Sequence, residues 1–127
     1  MCLRLVGSEM CIRDSIRPMM YGSYHDIVNI SNSEGKERFY TVVGYICETD
    51  TFGSNRKIAE ISEGDILAFR NAGAYCFTMA SNYNSRFRPP EVLWYKEEAH
   101  LIRKEETFED LTQNQILIEF NEAAVVN

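Results

Sequence analysis

The sequence has few of the residues that build disulfide scaffolds, membrane spans or nucleic-acid interfaces. Its four cysteines form no CxxC pair and show no metal-ligand spacing, so we expect neither a disulfide framework nor a metal site, and we expect a reducing, cytoplasmic setting. No apolar run approaches the roughly 20 residues of a membrane-spanning helix. Basic residues are also scarce: 13 Lys and Arg stand against 19 Asp and Glu, and the net charge of −6 argues against nucleic-acid binding.

The remaining composition is that of one globular domain. The chain has 127 residues, of which 45% are hydrophobic and 25% are charged, and this balance suits a single domain with a buried core.

The first fifteen residues fit that domain poorly. The string LVGSEMCIRDS at residues 5–15 resembles one reading frame of a transposon-type sequencing adapter, and such scars are excluded from fold reasoning. We therefore expect residues 1–15 to be an unstructured artefact and residues 16–127 to be the domain. We also expect the natural protein to have continued upstream.

From residue 16 onward, strand signals dominate. Apolar, β-branched or aromatic runs occupy residues 39–46, 66–69, 74–79, 91–95 and 99–102. The polar turn at 32–36 predicts a hairpin that pairs residues 26–31 with the first run, and residues 96–98 predict a second hairpin. Thr107, with Asp110 three residues later, predicts a short capped helix. We expect a mainly β fold, an antiparallel barrel or sandwich-like domain with one or two short helices.

Two segments place reactive side chains beside strand signals. Cys47 and Glu48 follow the longest apolar run, where the thiol is either a proton donor facing a cavity or a small buried residue. Tyr75 follows the small residues 72–74, which leave room for a ligand, although a tyrosine in a strand is also typical of a core or its rim.

Two further segments carry arginines. Arg17 and Tyr21 are four residues apart, and in an extended chain an even separation puts both on one face, where they can hold one carboxylate. Arg86 and Arg88 lie in the polar loop at 82–89. Either they grip an acid, or they belong to a solvated, bonded loop whose asparagine and serine side chains hydrogen-bond within the loop itself. The residues alone indicate a β-rich domain with an anion-gripping surface, and leave these alternatives open.

Taken together, these segments resemble the C-terminal domain of the diaminopimelate decarboxylases, which are pyridoxal-phosphate enzymes built on an alanine-racemase-like barrel. The resemblance runs from about residue 16 to about residue 115. Its motifs are RPMMYGSYH (17–25), CETD (47–50), EGDILAFRNAGAY (63–75) and MASNYNSRFRPPEV (79–92).

The resemblance implies a role for each candidate residue. Arg17 and Tyr21 match the pair that binds the substrate's distal carboxylate, and Glu48 matches the acid that recognises the distal amino group. Cys47 matches the cysteine implicated as proton donor, which in the family reaches the active site of the partner subunit. Tyr75 matches the tyrosine that contacts both cofactor and substrate. Residues 49–51 are a close variant of the family pattern, which leaves the local geometry there in question.

The resemblance also implies a cofactor, a substrate and a partner. These are pyridoxal 5′-phosphate, meso-diaminopimelate converted to L-lysine and CO2, and a second copy of the intact enzyme in a homodimer. The family's cofactor lysine and phosphate loop lie in an N-terminal barrel that is missing here, so we expect the chain alone to be inactive. The alternatives are a fragment of an ornithine, arginine or carboxynorspermidine decarboxylase, or a free-standing β-domain that binds a partner.

Overall fold

The computed structural model describes residues 4–7, 10, 14–15, 17–46 and 50–118. Two compact units divide the chain, residues 1–88 and 89–127. The elements in chain order are β1 (Arg4–Gly7), α1 (Arg17–Tyr21), β2 (Ile27–Asn29), β3 (Glu37–Val43), β4 (Thr51–Ala59), β5 (Leu67–Phe69), β6 (Glu91–Tyr95), β7 (Glu98–Arg103) and α2 (Phe108–Thr112). Among the described residues, no helix is long and apolar enough to cross a membrane.

The first unit contains two small sheets. One has the strand order β1-β3-β4, and the other pairs β2 with β5. All of these pairs are antiparallel except β1 with β3, which is parallel. The mainly β fold with two short helices is confirmed. In the described part of the chain the strands are not closed into a barrel, because the three-stranded and two-stranded sheets remain separate.

The core of the first unit lies where β3 and β4 meet β2. It is formed by buried apolar side chains from these three strands, namely Ile27, Tyr40, Val42, Phe52 and Ile58. Phe52 packs edge-on against Phe69 of β5, with ring centroids 5.1 Å apart. The buried phenol of Tyr40 accepts a hydrogen bond from the backbone N–H of Ile61 at 3.0 Å, so its polar atom is satisfied.

A buried asparagine redirects the chain after β2. The Asn29 side chain donates to the carbonyl of Glu60 at 3.0 Å and to Asp65 at 2.8 Å, and it accepts from the backbone of Ser31 and Asn32. The predicted hairpin between residues 26–31 and β3 is therefore wrong. The chain after β2 bonds to residues 60–66, and β2 pairs with β5.

Three other expectations need correction. Residues 74–79, predicted as a strand, form turns and a short 3-10 helix, because Tyr75 adopts a positive φ of 62° that a strand does not allow. The expected absence of structure in residues 1–15 is wrong for 4–7, since an extended segment there pairs with the backbone edge of β3. The artefact origin of that segment stays a prediction. Strand β4 was not predicted at all.

The second unit is a hairpin followed by a helix, as predicted. Strands β6 and β7 pair in antiparallel register through a turn at Lys96 and Glu97. Both of these residues have positive φ, 50° and 64°, which is the geometry that matches strand twist in two-residue turns. Helix α2 begins after Thr107, whose hydroxyl accepts from the Asp110 backbone while the Asp110 carboxylate accepts from the Thr107 backbone.

Candidate functional site

Three of the predicted site residues line one pocket of about 290 Å³. Its walls are formed by Arg17 and Tyr21 of α1 together with Tyr75 and Met79. The segment containing Arg17 is helical, not extended, yet a separation of four also places two residues on the same face of a helix. Arg17 and Tyr21 therefore lie on one face as expected, but the reason is the helical period and not the period of an extended chain.

The guanidinium of Arg17 is held but not neutralised. Its Nε donates to the Ser23 hydroxyl at 3.3 Å, and its Cζ lies 5.1 Å from the centre of the Tyr75 ring. Among the residues that the structure describes, Arg17 pairs with no carboxylate. A guanidinium that is fixed in place and lacks an acidic partner favours binding of an external carboxylate or phosphate.

Tyr75 reaches this pocket through an unusual backbone conformation. Its φ of 62° is rare for a large side chain and costs of the order of 1–3 kcal/mol. Its side chain is 60% exposed, so burial of the ring does not compensate for that cost. Cys76, directly after it, is buried, with its Sγ 3.4 Å from the Ser15 hydroxyl. The backbone strain sets the phenol on the pocket wall, a placement typical of a binding residue.

A histidine fixes the chain that leads to Tyr75. His25 is 5% exposed, and its Nδ1 lies 3.3 Å from the carbonyl of Arg70. The neighbouring Asp26 accepts from the Arg70 backbone at 2.8 Å and lies 3.5 Å from the Arg70 guanidinium. The segment after α1 is thereby joined to the residues just before Tyr75. This connection sets the relative position of the two walls of the pocket.

The remaining predicted features have separate outcomes. Cys47 and Glu48 lie outside the described residues. The two arginines of the polar loop each lie over an aromatic ring: Arg86 is 5.0 Å from the ring of Tyr45 and Arg88 is 5.8 Å from that of Phe77. In this loop Asn82 donates to the carbonyl of Arg86 at 3.0 Å, which favours the bonded-loop alternative for that asparagine.

Sequence reasoning missed Met79, which lines the pocket, and Ser23, which accepts the hydrogen bond from Arg17. Ser23 lies within the motif at 17–25 and Met79 begins the motif at 79–92, but neither was assigned a role. No pattern in the sequence marks Ser23, because its contact with Arg17 depends on helix α1, and this segment was predicted as extended chain.

The comparisons with known proteins agree with the fold. Residues 5–73 match the family model for the C-terminal sheet domain of the pyridoxal-dependent decarboxylases. The chain is 44% identical over 115 residues to the diaminopimelate decarboxylase of Methanothermobacter thermautotrophicus. That alignment covers 88% of this chain and 27% of that protein. The diaminopimelate decarboxylase of Pseudomonas aeruginosa is 39% identical, with 87% and 26% covered.

Solved structures give the same result. The crystal structure of the diaminopimelate decarboxylase of M. jannaschii in complex with L-lysine superposes with a TM-score of 0.82 and 37% identity, covering 90% of this chain and 26% of that one. The Helicobacter pylori enzyme complexed with L-lysine has a TM-score of 0.76 and 34% identity, covering 86% and 27%. The chain belongs to the pyridoxal-dependent decarboxylase family, and the part of that family that it matches is the C-terminal sheet domain. It spans about a quarter of the length of the curated relatives it matches.

Proposed function

We propose that this chain is the C-terminal β-domain of a diaminopimelate decarboxylase, which converts meso-diaminopimelate to L-lysine and CO2. The observation that carries the proposal is the convergence of Arg17, Tyr21 and Tyr75 on one pocket. Two curated relatives and a matching solved structure carry the name diaminopimelate decarboxylase. The role of each residue below is part of the proposal.

The pocket provides recognition of the distal end of the substrate. Arg17 binds the distal carboxylate through charge-assisted hydrogen bonds, with the Tyr21 phenol as a second donor on the same helix face. Glu48 binds the distal ammonium group. A substrate that lacks either group leaves a desolvated charge unpaired, and this is the penalty by which such sites reject near analogues.

The residues of this chain fit a contact with pyridoxal phosphate but do not hold it alone. Tyr75 offers a phenol to the cofactor, while the lining of the pocket, as far as the described residues form it, includes no lysine. When bound, the cofactor supplies the electron sink that a decarboxylation requires. The thiol of Cys47 holds the proton that is delivered to the carbon losing its carboxylate. In the intact homodimer, Cys47 serves the partner subunit's site.

Ligand titration tests the recognition step with matched compounds. L-lysine retains the carboxylate and amine of the distal centre, whereas cadaverine is the same diamine without the carboxylate. We expect meso-diaminopimelate and L-lysine to shift the Arg17 Nε–H resonance of the 127-residue chain in NMR spectra, and cadaverine not to do so. Arg17→Gln should weaken lysine binding about tenfold or more, because it removes a charge-assisted contact.

Arg103→Gln is the control for the loss of one positive charge, because Arg103 lies in the second unit and forms an ion pair with Glu91 at 2.6 Å. Equal affinity for lysine and cadaverine, or equal losses in the two variants, would contradict the assignment of Arg17.

Two further experiments test the remainder of the proposal. The 127-residue chain incubated with pyridoxal phosphate and meso-diaminopimelate should release no CO2, and measurable turnover would refute dependence on a separate barrel. A continuous read of the source DNA across the codon for residue 16 should extend into a barrel with a cofactor lysine. A genuine start codon there would instead favour a non-catalytic binding domain.

A further inference from the structure

A second pocket of about 310 Å³ lies between α1 and β4. Among the described residues, it shares no lining residue with the Arg17 pocket. Its polar wall carries three hydroxyl groups and one guanidinium, from Ser23, Thr51, Ser54 and Arg56. Ser23 also accepts the hydrogen bond from Arg17, so one side chain connects the two pockets.

A β-bulge determines where Arg56 points. In the β3–β4 pair, Tyr40 faces Arg56 and Val42 faces Gly53. One residue of β3 therefore lies opposite two residues of β4, the second of which, Asn55, has a φ of 54°. Directly opposed residues lie on the same face of a sheet, and Tyr40 is 3% exposed. The bulge thus sets Arg56 at a core-facing position, where an arginine is rare unless it is paired.

Arg56 lacks such a pair. Within the part of the chain that the structure describes, it forms no ion pair, and its Nε is buried without a hydrogen-bond partner. Its guanidinium lies over the ring of Tyr24, with Cζ 3.9 Å from the ring centre. Burying a donor without an acceptor costs free energy, and an oxyanion in the adjoining pocket would supply the acceptor.

The neighbouring glycine makes room for this arrangement. A Cβ added at Gly53 would overlap the Nε of Arg56 and lie 3.2 Å from its Cζ. The guanidinium therefore folds over a backbone that has no side chain, and any larger residue at this position would displace it. The local sequence, with glycine, a bulge and arginine within four residues, presents this cation to the pocket.

We propose that the pocket between α1 and β4 is a second anion-binding site, in which Arg56, supported by the hydroxyls of Ser23 and Ser54, binds the carboxylate or phosphate group of a small molecule. The ligand chemistry follows from the donors: a planar guanidinium fork beside neutral hydroxyl groups suits oxygen anions. The site does not depend on the decarboxylase proposal, because Arg56 has no role in that reaction and Ser23 takes part in it only by holding Arg17.

Titration of the 127-residue chain with inorganic phosphate and, separately, with succinate tests the site and identifies the preferred anion. The readout is the Arg56 Nε–H resonance at constant ionic strength, with chloride as the reference salt. At least one of the two anions should give a saturable shift. Arg56→Gln should weaken this binding about tenfold or more, while Arg103→Gln, which removes the same charge in the second unit, should leave it unchanged. Shifts that stay linear with both anions would overturn the proposal.

Gly53→Ala provides an independent variant that retains the arginine. Its Cβ displaces the guanidinium, so anion affinity should fall although the charge is unchanged. Arg56→Lys serves as the milder variant if Arg56→Gln lowers stability, and backbone amide spectra verify that each variant is folded. Unaltered anion affinity in folded Gly53→Ala and Arg56→Lys would refute the geometry proposed here.

Discussion

Replacement of Phe52 by alanine is the most informative test of the core, because this side chain connects the two sheets of the first unit. Phe52 is 1% exposed and packs against Phe69 with an interplanar angle of 67°. Truncating a buried phenylalanine costs about 3–5 kcal/mol, of which an edge-to-face ring pair contributes about 0.5–1.5 kcal/mol. Because small domains are stable by only about 5–15 kcal/mol, this one change removes a large share of the total.

Urea denaturation followed by far-UV circular dichroism measures the effect. For a slope of about 2 kcal/mol/M, the loss corresponds to a midpoint lower by about 2 M. Fluorescence of the single tryptophan, Trp94, reports instead on the second unit. Phe39→Ala on β3 is the matched control, because this side chain is 41% exposed and its loss should cost about 1 kcal/mol or less. Equal losses at Phe52 and Phe39 would refute the placement of the core.

Three further changes test single contacts. In Gly44→Ala the new Cβ overlaps the Asp50 carboxylate, which is 4% exposed, so a loss of about 1–3 kcal/mol is expected in thermal unfolding; an unchanged Tm would contradict it. Thr107→Ala removes the helix cap and should speed amide exchange in α2 about fivefold, the equivalent of about 1 kcal/mol. Hydrogen bonds from the Ser62 backbone and the Asn29 side chain hold the pKa of Asp65 below its usual 3.8. The carboxylate therefore stabilises the fold above that pH and loses this effect as pH falls through the lowered pKa; Asp65→Asn should flatten the acid limb of the stability curve.

The elements predicted correctly depend on signals that are local in the sequence. The capping pair of α2 is three residues apart, and the β6–β7 turn needs only two residues with positive φ. In each case the hydrogen bonds that form the element join residues that the sequence already places together, so no information about distant segments is required.

Pairing between distant segments could not be predicted from such local signals. The polar turn at 32–36 is present, but the hydrogen bonds of Asn29 to Glu60 and Asp65 take β2 away from its sequence neighbour. Strand β4 was missed for two reasons. Its run Thr51–Ala59 contains glycine, asparagine and two basic residues, which are uncommon in strands. The bulge also interrupts the alternation of apolar and polar residues by which strands are recognised. The same irregularity hid Arg56, whose core-facing position depends on the register with β3.

The candidate site shows which kind of sequence argument survives an error in secondary structure. Arg17 and Tyr21 were placed on one face by assuming an extended chain, and they share a face in the helix that forms instead, because a separation of four satisfies both periods. The placement of Tyr75 could not be predicted from a residue spacing in this way. Its predicted strand is absent, and the phenol reaches the pocket only through a positive φ that no apolar pattern encodes. Its assigned role depended on the family resemblance and stays a prediction, while the structure shows that its side chain lines one pocket with Arg17 and Tyr21.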